Sequence, residues 1–439
     1  MKAPYKIVIL GGGTAGWMAA NLFVHKWADK NVEITLVESP EIGIVGVGEG
    51  STPTLKRFFE MLEVSESDWM ARCAATYKVN IRFTDWSPVS GIKDYSHPFI
   101  SQLDTFTQKA FFVNCRTRRL GLKTHVTPED FLINGVLAKH NKSPITPANF
   151  PFRMEYGYHF DSHLLGEFLA ERAVSKGVIH RQEKITDVST NDAGNIAALV
   201  TESGEHISAD FFVDCSGFSA FLMQKTLGVK FNSYKENLFN DSAVVLPTDI
   251  TDNIPVETQA TALSNGWCWK IPLTNRYGNG YVYSADFISS DAAEIELRTH
   301  LDCLHGSQSA RHLKMKVGQL DKHWERNCLA LGLSQGFIEP LEATALHLVQ
   351  ISIELFITEF EKGGFGNTHQ AEYNSKMSQR FERVRDYIVA HYKLNTRNDS
   401  EYWRANRNNP KISDSLGQLL DVWFNRGDME VEIERQNLS

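Results

Sequence analysis

The apolar run Lys6-Ile7-Val8-Ile9-Leu10 lacks polar alternation and predicts a buried strand. Gly11-Gly12-Gly13 breaks it, and a helical pattern runs from Thr14 to about Lys26. Val32-Glu33-Ile34-Thr35-Leu36-Val37 predicts a second buried strand that ends at Glu38. Together these make a βαβ unit of the expected length. Two further buried strands are predicted far along the chain, at Phe211-Phe212-Val213-Asp214 and Cys328-Leu329-Ala330-Leu331-Gly332. The unit begun by the βαβ is therefore expected to be assembled from separated segments. From about Phe231 to Phe287 the pattern becomes alternating and aromatic-rich, as in Gly280-Tyr281-Val282-Tyr283-Ser284, and predicts a second sheet. From His347 it turns helical, through Val349, Ile351, Leu355, Phe356 and Phe360, then Val384 to Ile388. Asp428 to Gln436 is a charged, helix-like run without a stop signal, so a continuation beyond Ser439 stays open.

Composition narrows the class. At 439 residues the chain is long for one core and short for three ordinary domains. It is 42% hydrophobic and 22% charged, as folded proteins are. A net charge of -8 argues against a nucleic-acid partner, which needs a basic surface. No apolar run approaches the roughly 18 residues of a membrane span. The N-terminus leads straight into the first strand, without a signal-peptide pattern, and a cytoplasmic location is expected. Cys73, Cys115, Cys215, Cys268, Cys303 and Cys328 are scattered without metal-ligand spacing, so neither a metal nor a disulfide is expected.

The first chemistry lies in the opening turn. Gly11-x-Gly13-x-x-Gly16 follows a predicted strand and opens a helix, with Thr14 and Ala15 at the helix start. The first glycine permits the tight turn, the second lets backbone approach a pyrophosphate, and the third allows close helix–strand contact. Glu38 lies about 20 residues further on, where a carboxylate can hold ribose hydroxyls. Two later turns favour FAD over NAD: Asp214-Cys215-Ser216-Gly217-Phe218 and Gly332-x-x-x-Gly336-Phe337-x-x-Pro340. Each also reads as an ordinary turn between strand and helix. No second dinucleotide fingerprint is visible.

With these residues in hand, the sequence resembles the flavin-dependent halogenases, whose best-known members act on tryptophan. Gly266-Trp267-Cys268-Trp269-Lys270-Ile271-Pro272 matches their WxWxIP signature. Gly46-Val47-Gly48-Glu49-Gly50-Ser51-Thr52-Pro53 is similar to their GVGEATxP segment, which adds Gly48, Glu49 and Ser51 to the FAD-binding candidates. Further matches are Tyr77-Lys78, Tyr95-x-His97-Pro98-Phe99, Phe337 through Thr344, and Asp386-Tyr387-x-x-x-His391-Tyr392 through Trp403. The resemblance covers about residues 5 to 403. It implies an α/β fold: a Rossmann-like FAD-binding domain of the flavin monooxygenase type, with an inserted β-sheet substrate region and a mostly helical C-terminal part. The expected division is 1–346 for the FAD module, with inserts at about 80–150 and 231–287, and 347–439 for the helical substrate-side region.

The resemblance also implies roles. Reduced FAD and oxygen turn chloride or bromide into hypohalous acid, which halogenates an electron-rich aromatic substrate at the far end of a tunnel. Lys78 directs the hypohalous acid, by hydrogen bond or as a haloamine. Glu342 stabilises the ring cation and accepts its proton. Trp267 and Trp269 wall the substrate from the flavin, His97, Phe99 and Pro340 line the aromatic pocket, and the amides of Thr344 and Ala345 hold the halide. Read alone, Lys78 is a solvated strand lysine, Glu342 an exposed glutamate at a helix start, Trp267 and Trp269 a buried pair, and His97 to Phe99 loop packing.

Two departures from the family stand out. The segment after Trp403 is short and lacks the element that grips tryptophan, which favours a smaller indole, a phenol or an open site over free tryptophan. Thr344-Ala345 replaces the Thr-Gly of many members, which crowds the halide site slightly. The reduced flavin is expected from a separate NAD(P)H flavin reductase, and a homodimer by analogy. The rivals are a flavin aromatic monooxygenase, which would need no Lys78 and give oxygenated product, and a non-catalytic flavoprotein without halide-dependent turnover.

Overall fold

The computed structural model describes residues 3–41, 43, 46 and 48–438. Val47, within the family segment, lies outside them, as do Met1, Lys2 and Ser439. The chain divides into two compact units. The first comprises Met1–Ala75, Phe160–Tyr234 and Lys316–Glu382; the second comprises Thr76–His159, Lys235–Met315 and Arg383–Ser439.

The first unit is built on a six-stranded sheet in the order Trp324–Glu325, Cys328–Ala330, Phe211–Asp214, Tyr5–Leu10, Val32–Glu38, Ile179–Gln182. All neighbours run parallel except the first pair. Each of the four buried strands read from the sequence is present, and the helix after the first spans Thr14–Lys26. Side chains alternate across these strands. Val8, Leu10 and Phe212 therefore share a core with Ile196, Leu199 and Ile207 of a small antiparallel sheet. Phe211, on the opposite face, meets Phe356 at 5.1 Å and Phe360 at 5.0 Å.

That contact moves the expected boundary at 346/347. Helix Ala345–Lys362 carries its apolar stripe into the first unit, because Phe356 and Phe360 at helical spacing find Phe211 and Trp324 as their buried partners. Only Arg383–Ser439 of the expected helical region belongs to the second unit. Phe231–Ser233, expected in the inserted sheet, pairs instead with Gly318–Leu320 in the first unit.

The second unit holds a seven-stranded sheet in the order Arg311–Lys314, Ser242–Thr248, Tyr277–Tyr283, Gly266–Pro272, Glu257–Leu263, Asn80–Thr84, Asp94–Pro98. Every pair is antiparallel except Glu257–Leu263 with Asn80–Thr84. One face packs Val244, Leu246, Cys268, Tyr281 and Tyr283 against Ala293 and Leu297 of helix Ser290–His300. The insert expected over 80–150 is a sheet only as far as Pro98. Beyond it come helices Gln108–Arg119 and Ile133–Lys139, whose residues lack a strand's alternation. No helix among the described residues is long and apolar enough to cross a membrane.

Candidate functional site

In the first unit, the glycine turn has the geometry that close backbone approach requires. Gly11 sits at φ +115°, and a Cβ there would lie 2.2 Å from the Cys215 carbonyl oxygen. A Cβ on Gly16 would lie 2.0 Å from the Gly11 carbonyl oxygen, so helix and strand need that glycine. Gly13 differs: a Cβ there meets no atom of the described residues within 4 Å. Trp17 N–H donates to Gly13 O at 3.1 Å, which leaves the amides of Thr14, Ala15 and Gly16 outside the intrahelical ladder. These donors, at the positive end of a helix, fit a pyrophosphate.

Glu38 closes the turn. A Cβ on Gly12 would fall 1.7 Å from its Oε2, so Gly12, which the sequence reading passed over, makes room for the carboxylate. His180 Nε2 lies 2.7 Å from Glu38 Oε1. The other glycine turns divide. Gly332, at φ +65°, packs where a Cβ would lie 2.8 Å from Ala15 Cβ, so it borders the dinucleotide turn. Gly217, at φ +68°, would bring a Cβ within 4 Å of no atom among the described residues. Gly336 serves packing, since a Cβ there would press on the Gly318 carbonyl oxygen at 2.6 Å. Asp214 is fully buried. It accepts from Ser216 N–H and Oγ–H and from the Leu222 and Met223 amides, so its carboxylate fastens the turn that Gly217 exposes. The space at Gly13, the amides outside the intrahelical ladder and Glu38 fit FAD.

Gly48, at φ +108°, precedes Glu49, and Ser51 is buried. Burial, helped by the Asp161 charge and opposed by a Ser162 hydrogen bond, pushes the Glu49 carboxyl up to about 7.

Pro340–Glu342 forms one 3-10 turn, Ala343 takes φ +53°, and helix Ala345–Lys362 follows. Glu342 is 7% exposed, not on the surface as a bare helix-start glutamate would be. Among the described residues Thr344 Oγ1 is buried without a hydrogen-bond partner, at a helix start that carries no acidic residue in its first turn. Leu348 N–H makes the first intrahelical bond, to Thr344 O, so the Ala345 amide stays outside the ladder. His347, also passed over in the sequence, has a buried Nδ1 without a partner among the described residues. Burial first, then the charges of Arg380 and Arg57, pull its pKa down to about 4.

In the second unit, Lys78 is 0% exposed at the end of strand Thr76–Lys78, and its Nζ stands 5.5 Å from the Phe99 ring. The solvated lysine of a bare strand reading is thus replaced by a wholly buried one. Phe99 N–H donates to Val79 O at 3.1 Å, which holds the two segments together. His97 lies in strand Asp94–Pro98, its Nδ1 3.3 Å from the Tyr387 hydroxyl and its ring 5.1 Å from that of His391. Trp267 and Trp269 share one face of strand Gly266–Pro272, ring centroids 6.1 Å apart, and Cys268 faces the helix side. Their cross-strand neighbours are small: Ala262 and Ala260 on one side, Val282 and Gly280 on the other. A Cβ on Gly280 would lie 2.1 Å from the Trp269 ring, so that glycine makes room for the indole.

The family model described as tryptophan halogenase matches residues 6–437. The chain belongs to this family. It is 37% identical to the tryptophan 6-halogenase SttH of Streptomyces toxytricini, over 96% of this chain and 84% of that protein. It is 34% identical to the tryptophan 7-halogenase RebH of Lentzea aerocolonigenes, over 95% and 81% respectively. Among solved structures, a flavin-dependent halogenase from Xanthomonas campestris superposes with a TM-score of 0.86 at 34% identity, covering 96% of this chain and 84% of that one. The crystal structure of SttH gives 0.85 at 34% identity, with 96% and 85% covered. The chain is thus an enzyme of the flavin-dependent halogenase class, and its fold is the mixed α/β architecture of those neighbours.

Proposed function

We propose that this halogenase uses Lys78 to direct hypohalous acid onto an electron-rich aromatic ring, an indole or a phenol. The carrying observation is a lysine with no solvent exposure beside an aromatic ring, on the residue that matches the family motif. A buried ammonium is a directed hydrogen-bond donor instead of a hydrated surface charge. Bound reduced FAD with oxygen supplies the oxidising chemistry for chloride or bromide, and a separate NAD(P)H flavin reductase supplies the reduced flavin. The Gly11–Gly16 turn and Glu38 hold the dinucleotide, with Gly48, Glu49, Ser51, Gly217 and Gly332 bordering it. The amides of Thr344 and Ala345 hold the halide at a helix start, beside a buried Thr344 hydroxyl that has no hydrogen-bond partner among the described residues. Glu342 accepts the ring proton. Trp267 and Trp269 keep the ring from the flavin, and His97, Phe99 and Pro340 line its pocket. Tryptophan joins the substrate panel because the curated relatives named above act on it.

The test is turnover with FAD, a flavin reductase, NADH and bromide or chloride, on tryptophan, smaller indoles and phenols, read by mass spectrometry beside Lys78→Ala. A halogen mass shift that disappears in the variant, with FAD binding intact, is the expected result. An oxygenated product without halogen overturns the proposal in favour of a monooxygenase.

A further inference from the structure

Strands Thr76–Lys78 and Gly157–Phe160 pair antiparallel, with Thr76 opposite His159 and Lys78 opposite Gly157. His159 is 0% exposed, and both ring nitrogens meet hydroxyls. Nδ1 is 3.0 Å from Thr76 Oγ1, and Nε2 is 2.9 Å from Thr258 Oγ1. Thr76 Oγ1 also lies 2.7 Å from the Pro272 carbonyl oxygen. A hydroxyl carries one hydrogen and a carbonyl only accepts, so the Thr76 hydrogen goes to Pro272. Thr76 must then accept from the imidazole, which places a hydrogen on Nδ1. Burial and the neighbouring Lys78 charge hold the His159 pKa well below its usual value, so the ring is neutral. Nε2 is then an acceptor, and Thr258 donates to it. The relay runs Thr258 to His159 to Thr76 to Pro272. It therefore ends on the last residue of the strand that bears Trp267 and Trp269. Thr76 and Lys78, two apart on one strand, share a face.

We propose that His159 is a positioning residue for halogenation: a neutral imidazole, bonded at both nitrogens, that fixes the Lys78 strand against the Trp267–Trp269 strand. This rests on the reading that Lys78 directs the hypohalous acid. Imidazole suits the task because it offers a donor and an acceptor on one rigid ring. An apolar ring of similar size would fill the space but leave the Thr76 and Thr258 hydroxyls without it. A protonated ring would set a second cation beside Lys78.

The test compares His159→Phe, which keeps the bulk and removes both bonds, with His159→Asn, whose amide can still donate to Thr76. Ring nitrogen NMR of the wild-type protein should show a neutral imidazole with its hydrogen on Nδ1; a hydrogen on Nε2 overturns the proposal. In turnover with bromide and indole, His159→Phe should bind FAD normally and still release hypobromous acid to a freely diffusing trap. Its brominated indole per NADH consumed should fall about 10-fold or more, and His159→Asn should recover most of it. Unchanged yield in His159→Phe overturns the positioning role. Should that variant not fold, Thr258→Val, which removes a single hydroxyl, should lower the yield several-fold, and an unchanged yield there overturns the proposal equally. Lys78→Ala runs alongside. If it keeps full yield, the Lys78 reading fails; if it alone loses yield, only the His159 proposal fails.

Discussion

In the first unit, the positions that matter at Gly11, Gly12, Gly13 and Gly16 are set by side chains that are missing. In the second, Lys78, His159, Trp267 and Trp269 matter because large side chains fill buried space, and Gly280 gives one of them room. The first arrangement presents backbone amides, whose direction is fixed by the chain itself, and suits a ligand with the invariant shape of a pyrophosphate. The second presents tips of side chains, whose placement depends on everything packed around them. On the proposed function, cofactor binding is written in backbone geometry and the aiming of chemistry in side-chain burial. The two should therefore fail differently.

The largest expected separation is at Lys78. Lys78→Met keeps an unbranched side chain one atom shorter and removes its charge. Halogenated product should fall about 100-fold or more, the size of a lost acid–base or directing group. The melting temperature should not drop, because an apolar side chain costs less to bury than an ammonium. A variant that melts well below wild type would show that the charge holds the fold together.

Two glycines in the dinucleotide turn sharpen the contrast. Gly16→Ala drives a Cβ to 2.0 Å from the Gly11 carbonyl oxygen. It should destabilise the protein by about 2–3 kcal/mol, as overpacking does, and lose FAD with it. Gly13→Ala meets no protein atom within 4 Å. It should leave the urea midpoint in place and weaken FAD alone, so equal destabilisation by the two would break the distinction between packing and ligand-facing glycines. In the second unit, Gly280→Ala pushes on the Trp269 ring and should cost about 1–3 kcal/mol, with a change in tryptophan fluorescence that Gly13→Ala does not produce.

The smallest effect concerns Glu49. Its carboxyl titrates at about 7 in the fold against an ordinary 4.5, so the folded chain keeps a proton the unfolded chain has released. Stability therefore falls as pH rises from about 4.5 to about 7, by about 3 kcal/mol for a wholly dry carboxyl and by under about 1 kcal/mol once solvent screening of this half-buried group is counted. Glu49→Gln should flatten that part of the stability–pH curve; an unchanged slope would assign it to other groups.

Much of the first unit was legible. The four buried strands, the opening helix and the tight turn between them are local patterns, legible because a buried parallel strand is apolar throughout and a strand-to-helix turn this tight needs glycine at Gly11 and Gly16. The Lys78, WxWxIP and Glu342 segments were legible only by resemblance, since residue pattern alone made the lysine solvated and the glutamate exposed. The division at 346/347 went astray because the helical periodicity of Ala345–Lys362 shows that an apolar stripe exists, not which sheet receives it. The roles read for Asp214 and Gly336 shifted for a similar reason: a small-residue turn looks the same whether it faces a ligand or fastens itself.

By itself, then, the sequence determined the βαβ start, the amides offered by its turn, and the residue types available for chemistry. Those follow from period, glycine position and side-chain identity within a few residues. Only the tertiary structure decided that Lys78 is dry, that His159 bonds two threonines from different strands, and that Glu38 lies over Gly12. Burial and hydrogen-bond partnership are set by segments up to hundreds of residues apart, and no local pattern encodes which of them will meet.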